Sequence, residues 1–283
     1  MSDGHAGERC NETARFTVFS SGRRICRLGL ATRGNTSLDR ESVIAALDHG
    51  VDYLNWCGHP DGMRDAIRQL GDRRNEVVVA VQLKARTAQA ARRELAEVKR
   101  DLHTNYLDVV TYYYVEDVEE WRQIVSRGGA AEVLEEERSQ GAIEMIGLTS
   151  HQRLLAAQFA RSSRLDLLMV RYNAAHRGAE EEVFPVTRAK GIPVVAFTCL
   201  RWGALLEKTP QDPRGFVPPS APQWYRFVLD HPDIAVALMA PDGDAQLQEN
   251  LSILKNWRAL GEIDFESLAA HGQRVRAHAR YFP

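Results

Sequence analysis

The sequence is poor in cysteine, and none of its four cysteines, Cys10, Cys26, Cys57 and Cys199, falls in a CxxC pair. That excludes a zinc ribbon or a cysteine-held cluster and points to a reducing compartment. No apolar run reaches the length a bilayer span needs. The opening stretch MSDGHAGERCNETAR lacks the apolar core of a secretory signal. It reads as a flexible tail over residues 1–14, and a cytoplasmic protein is expected. One-sided charge is missing too: 36 Lys and Arg stand against 38 Asp and Glu, a formal net charge of −2. A phosphate-backbone partner needs a basic face, so neither nucleic acid nor a membrane is expected as a partner. There is no low-complexity segment and no linker. The absence of GxGxxG after a strand counts against a Rossmann sheet.

What is present is rhythm. The 283 residues are 44% hydrophobic and 26% charged, a composition suited to one large core. The length is ordinary for a single α/β barrel. In SLDRESVIAALDHG, Ser37 or Asp39 is placed to cap a helix. Val43, Ile44 and Leu47 share a face, and Gly50 ends it. VDYLNW follows at once as a strand. The alternation recurs down to QWYRFVLDHP and DIAVALMAP, with a last helix expected at DAQLQENLSILKNW. The strands are apolar on both faces, as parallel strands covered by helices are. Counting CRLGLAT as the first, about eight strands are each followed by a helix. RFTVFSSGRRICRL reads as a hairpin turning at Ser20–Gly22, placed to plug a barrel floor. The expected fold is α/β: a single (β/α)8 TIM barrel over residues 15–283, with an N-terminal β-hairpin and an extra C-terminal helix. A doubly wound open sheet is the alternative.

Chemistry in such barrels sits at the C-terminal strand ends. Those ends carry Thr32 and Arg33; Asn55, Cys57 and His59; Gln82 and Lys84; Tyr112, Tyr113 and Tyr114; Thr149, Ser150 and His151. Further round the ring come Arg171, Tyr172, Asn173 and His176; Thr198, Arg201 and Trp202; and Asp242. A rim this rich in Tyr, His, Trp and Arg points to a pocket.

The ordered motifs resemble the aldo-keto reductases. GVDYLNW is similar to that family's second strand, G-[VI]-x-[FY]-[FL]-D-T. NYLDVVTYYYVE resembles DYIDLYLIHxPD, and GAIEMIGLTSH resembles GKIRxIGVSNF. GIPVVAFTCLRWGALL resembles GIxVxAYSPLxxGxL, and QLQENL resembles the late RIxENL helix. The likeness keeps its order from about residue 16 to 257. It implies the (β/α)8 fold and carbonyl reduction with NADPH by four side chains. A tyrosine donates the proton, a lysine favours its phenolate, an aspartate pairs with the lysine and a histidine positions the carbonyl.

All four positions differ here. Asn55 falls at the aspartate and Gln82 at the lysine. Pro60 falls at the tyrosine, with His59 beside it, and Tyr113 at the histidine. Neutral Asn55 and Gln82 together replace a buried ion pair; losing one charge alone would strand the other at a cost of about 3–5 kcal/mol. The resemblance places Phe197 where an aromatic stacks on nicotinamide, with Thr198 next to it. Thr149 and Ser150 fall at the pair holding its amide, Met169 at the amide-binding glutamine, and Asn250 in the late ENL motif. The clamp for the ribose 2′-phosphate maps to Ala240, Pro241 and Gln246, which carry no charge. The expected cofactor is NADPH or NADH, with that clamp lost.

Several residues compete for roles. His59 is a candidate acid or base, its ordinary titration being near neutrality; the alternative is an idle loop histidine. Tyr113 becomes a donor if it points inward, in which case Tyr112 and Tyr114 face away unless the strand ends there. Arg171 suits a carboxylate or phosphate, or else an ion pair with a neighbouring helix. Arg201 and Trp202 lie where the family builds a substrate loop, and Trp56 with Trp202 would wall an aromatic slot. A metal site from Cys57, His59 and Asp61 is disfavoured because Pro60 breaks the extended spacing. Cys57 with His59 as a nucleophilic pair lacks a third orienting group. The favoured expectation is an oxidoreductase acting on a small carbonyl or alcohol through a non-standard proton donor. A lyase or isomerase reusing the pocket, or a non-catalytic ligand-binding pseudoenzyme, stands as the alternative.

Overall fold

Eight parallel strands close on themselves in the computed structural model, which describes residues 12–19, 21–32, 37–257 and 259–278. An antiparallel hairpin of β1 (Phe16–Val18) and β2 (Arg24–Cys26) comes first, Phe16 opposite Cys26. The barrel follows as β3 (Leu28–Thr32), β4 (Tyr53–Trp56), β5 (Val78–Leu83), β6 (Leu107–Tyr112), β7 (Ile143–Ser150), β8 (Leu167–Arg171), β9 (Val194–Phe197) and β10 (Ile234–Met239), with β10 paired back onto β3. Residues 1–11 of the expected tail, Ser20 of the hairpin turn and Arg33 lie outside the described residues. Residues 12–14, also assigned to that tail, belong instead to a 3-10 turn, Glu12–Arg15.

Strand parity sorts the side chains. Tyr53 joins Val78, Ala80, Val109, Leu167 and Val195 in the barrel lumen, whereas Leu54 and Trp56 pack outward against the helices. Phe19, at the end of the hairpin, enters the lumen edge-on to Tyr53 at 6.1 Å between centroids. The hairpin thus plugs the floor. Arg23 fastens it: its guanidinium donates to Asp108 at 2.5 Å. The same carboxylate, 1% exposed, accepts from Arg74 at 2.7 Å and from the Val79 N–H at 2.9 Å.

The helices are α1 (Arg40–Asp48), α2 (Gly62–Arg68), α3 (Ala88–Leu102), α4 (Val118–Val125), α5 (Ala130–Ser139), α6 (Arg153–Ser162), α7 (Ala179–Glu182), α8 (Phe184–Lys190), α9 (Ala221–Asp230), α10 (Asp244–Lys255) and α11 (Glu262–His278). Asp39 caps α1 by accepting the Ser42 N–H at 2.7 Å, and Gly50 turns the chain into β4 at φ 87°. The helix α4 is absent from the sequence expectation, although Val118, Trp121, Ile124 and Val125 recur at helical spacing; it buries Trp121 and Ile124. Beyond α10, α11 crosses the segment after β8 so closely that a Cβ on Gly272 would meet the Ala174 carbonyl at 2.4 Å. His271 and Arg274 on α11 both donate to Asp212, at 2.9 and 2.6 Å, which ties the β9–α9 connection to this helix.

One floor carboxylate gives a pH signature. Asp52 accepts the Cys26 N–H at 2.8 Å, and burial pushes its pKa up to about 6. A carboxyl raised above its unfolded value of about 3.9 favours the fold while protonated. That contribution is complete below about pH 4 and is lost as pH rises through about 6. Asp52→Asn is therefore expected to flatten the urea midpoint against pH between about 4 and 6. A profile identical to that of the unsubstituted protein would contradict this assignment.

Candidate functional site

A cavity of 440 Å³ opens at the C-terminal ends of the strands. Ala31, Asn55, Gln82, Thr149 and Met169 line it from β3, β4, β5, β7 and β8, and Phe197, Thr198, Leu200 and Trp202 from the end of β9 and the loop beyond. The inward parity of these strand residues follows from the alternation that sends Leu54 and Trp56 outward. The floor is polar but neutral. Asn55, 2% exposed, donates from Nδ2 to the Cys57 sulfur at 3.4 Å, and its Oδ1 is buried with no hydrogen-bond partner among the described residues. Thr149 donates from Oγ1 to Thr111 Oγ1 at 3.2 Å. No Lys, Arg or His is among the described lining residues, and Asp242 is their one carboxylate. Asp242 accepts from the Ser37 N–H at 3.1 Å and the Ser37 hydroxyl at 2.7 Å, while its own N–H donates to Gln246 Oε1 at 3.0 Å.

One wall is aromatic. β6 ends at Tyr112, which packs outward edge-on to Trp121 at 5.7 Å. Two residues on, Tyr114 takes a left-handed φ of 43°, which resets the strand alternation and puts its ring on the cavity wall. Tyr113 stacks on Tyr114 at 4.0 Å and 28°. The His151 ring lies 4.5 Å from Tyr114 and 5.3 Å from Phe197, and Tyr114 lies 6.4 Å from Phe197. The loop after β9 places Thr198, Arg201 and Trp202 at φ 57°, 50° and 56°, three strained non-glycine positions gathered at the mouth. Asn173 holds this loop, donating from Nδ2 to the Thr198 carbonyl at 2.8 Å.

The structure brings together Asn55, Gln82, Thr149, Met169, Phe197, Thr198, Trp202 and Gln246. It does not bring the remaining candidates to the cavity. His59 is exposed, and its carbonyl accepts the Trp56 indole N–H at 2.8 Å. That bond keeps Trp56 in the helix-side core, so the aromatic slot has Trp202 without Trp56. Tyr113 sits behind Tyr114 rather than on the wall, with the exposed Lys84 ammonium 5.9 Å from its ring centroid. Ser150 turns away to accept the Gln152 N–H at 3.0 Å. Asn250 is buried on α10, off the lining.

Arg171 and Arg201 are also off the lining, buried beside it at 9% and 6% exposure. Burial, then the neighbouring Arg153 and Arg201, hold Arg171 below its ordinary value. Burial, then Arg171 and Arg201, push His176 down to about 4. Cations therefore collect beside the site but not on its floor. Sequence reasoning missed Tyr114 as a wall residue, along with Tyr225, Leu200 and Leu206. The signal available for Tyr114 was the possibility that β6 ends before it. Among the described residues no group of three or more His, Cys, Asp or Glu is placed to hold a metal, and no helix is long and apolar enough to cross a membrane.

A closed ring of eight parallel strands wrapped by helices, with its cavity at the C-terminal strand ends, is a (β/α)8 barrel of the enzyme-bearing kind. The chain belongs to the aldo/keto reductase family, whose sequence profile matches residues 28–271. It is similar in fold to an aldo/keto reductase from Klebsiella pneumoniae solved with NADP and acetate. That likeness has a TM-score of 0.72 at 20% identity, covering 92% of this chain and 95% of the other. The holo form of an aldo-keto reductase from Bacillus halodurans also superposes with a TM-score of 0.72, at 17% identity, covering 94% and 96%. No curated protein sequence matches the chain significantly.

Proposed function

We propose that this protein is an NAD(P)H-dependent oxidoreductase that interconverts a small, largely apolar carbonyl compound and its alcohol, with a proton donor other than the family's usual tyrosine. The observation that carries this reading is the cavity wall. Phe197 and Thr149 line one continuous space with a floor on which Asn55 and Gln82 are both neutral. A floor that had lost one charge of a pair would carry a buried stranded ion; this one carries none among the described residues.

The donor set suits the nicotinamide half of a cofactor. Asn55 Oδ1 lacks a hydrogen-bond partner and Thr149 presents a hydroxyl. Both suit a carboxamide, while Phe197 offers a ring face. Met169 and Trp202 supply apolar surface. When bound, a reduced nicotinamide supplies a hydride to the carbonyl carbon. The set does not suit a ribose 2′-phosphate. Ala240 and Gln246 line the cavity without charge, and Asp242 presents a carboxylate. A carboxylate accepts hydrogen bonds from ribose hydroxyls and repels a phosphate, so NADH is the cofactor this reading favours.

The test is oxidation of NADH and NADPH, followed by absorbance, with 4-nitrobenzaldehyde as an apolar aromatic carbonyl. Turnover is expected with NADH, its kcat/KM exceeding that with NADPH by at least about tenfold, or ~1.4 kcal/mol. Absence of turnover with both cofactors across aldehydes, ketones and quinones would overturn the proposal. A lyase or isomerase is the second reading, favoured by the same cation-free lining. It requires conversion of a bound metabolite without any nicotinamide.

A further inference from the structure

We propose that Tyr114 is the proton donor of this site. The inference rests on the oxidoreductase reading and names the residue that replaces the missing tyrosine.

The described lining offers few acids. Cys199 is buried, and burial pushes its thiol up to about 12. Tyr225 is enclosed, and burial pushes it well above its ordinary value. Asp242 lies exposed at the lip, held by Ser37. The Cys57 sulfur is turned to Asn55, 3.4 Å from Nδ2. Tyr114 is different: it is half-buried, it lies on the same wall as Phe197, and its ring is held between neighbours. Tyr113 stacks on it at 4.0 Å and His151 packs against it at 4.5 Å. Its left-handed backbone at φ 43° costs conformational energy, which is tolerated where a side chain has to be aimed.

Arg171 supplies the second half of the device. It ends β8, is 9% exposed, and stands opposite Phe197 in the β8–β9 pairing, with Tyr114 6.4 Å from that Phe197 ring. A buried guanidinium attracts the phenolate that proton transfer leaves behind. The acid is thus displaced from the loop after β4, where His59 is exposed, to the end of β6. There the phenol comes from the segment just after β6 and the cation from the end of β8.

The step balances. As the hydride's electron pair forms the new C–H bond, the C=O π pair moves onto oxygen. It takes the proton released when the Tyr114 O–H bond breaks, giving the alcohol. The carbonyl is reduced and the nicotinamide oxidised. The phenolate beside Arg171 regains its proton from solvent at the open rim.

The experiment compares Tyr114→Phe with the unsubstituted protein. Tyr106→Phe serves as control, because Tyr106 also carries one phenol, hydrogen-bonded to Glu144 at 2.6 Å just before β6 at its opposite end. Three quantities are read: NADH-driven reduction of 4-nitrobenzaldehyde, calorimetric binding of NADH, and calorimetric binding of 4-nitrobenzamide, a carbonyl of the same shape that is not reduced. For Tyr114→Phe, kcat is expected to fall at least about a hundredfold. The benzamide dissociation constant should rise about three- to tenfold for one lost hydrogen bond, with NADH binding unchanged. Tyr106→Phe should keep all three values. A Tyr114→Phe protein that binds NADH normally and turns over at the unsubstituted rate overturns the assignment and leaves the oxidoreductase reading standing. Lost turnover with unchanged benzamide binding also overturns it, since the phenol then does not reach the carbonyl. If the unsubstituted protein neither binds NADH nor reduces the aldehyde, both readings fall together.

Discussion

Asn55→Asp is expected to destabilise the protein by about 3 kcal/mol at pH 7. The position is 2% exposed on a cavity floor whose described lining contains no cation, and the neighbouring Gln82 is neutral. An aspartate there would be a desolvated charge without a partner. Burial raises its folded-state pKa, so the penalty is small near pH 4 and grows as pH rises through the raised value. Urea unfolding at pH 4 and pH 7 measures this, with the variant close to the parent at the lower pH and well below it at the higher. Adding Gln82→Lys in the same chain is expected to recover most of the loss. Ala80 is Asn55's partner across the β4–β5 pairing, and Gln82 is two residues further along on the same parity. Equal stability of Asn55→Asp and parent at pH 7 would show that the floor tolerates a lone charge. The neutrality of Gln82 would then not depend on that of Asn55.

Asp108→Ala is expected to cost a similar amount, about 3–5 kcal/mol. Its carboxylate, 1% exposed, holds the hairpin through Arg23, the segment before β5 through Arg74, and β5 itself through the Val79 N–H. Removing it strands two guanidiniums and a buried backbone donor at once, although both arginines retain some access to water. For a chain of this size the loss corresponds to a melting temperature lower by roughly 5–8 °C. A shift below about 2 °C would mean that the hairpin is secured mainly by Phe19 in the lumen.

These two positions also show what the sequence makes legible. Residues on strands are readable, because parity fixes which way they face. Asn55, Gln82, Thr149 and Met169 were expected at the mouth and line the cavity together. Asp39 and Gly50 are readable because capping and left-handed turns have few chemical solutions. Loop residues are not readable in the same way. His59 follows β4 by three residues, but its direction depends on the Trp56 indole taking its carbonyl, a bond invisible to periodicity. Tyr113 and Tyr114 differ by one position, and a single positive φ decides which ring reaches the wall. Ser150, the last residue of β7, has the opposite parity to Thr149 and closes a local turn onto Gln152, so the two do not face the cavity together. The helix α4 does carry the periodic signal, with Val118, Trp121, Ile124 and Val125 at helical spacing, but at eight residues it is short and follows directly on the β6 segment.

Calorimetric titration of NADH and of NADPH into the purified protein, with ADP-ribose as control, tests the account most directly. Micromolar binding of NADH is expected, with NADPH weaker by at least about tenfold, because Asp242 brings a carboxylate to the lining while Ala240 and Gln246 bring no charge. Failure of both cofactors to bind at millimolar concentration, or tighter binding of NADPH than of NADH, would contradict it.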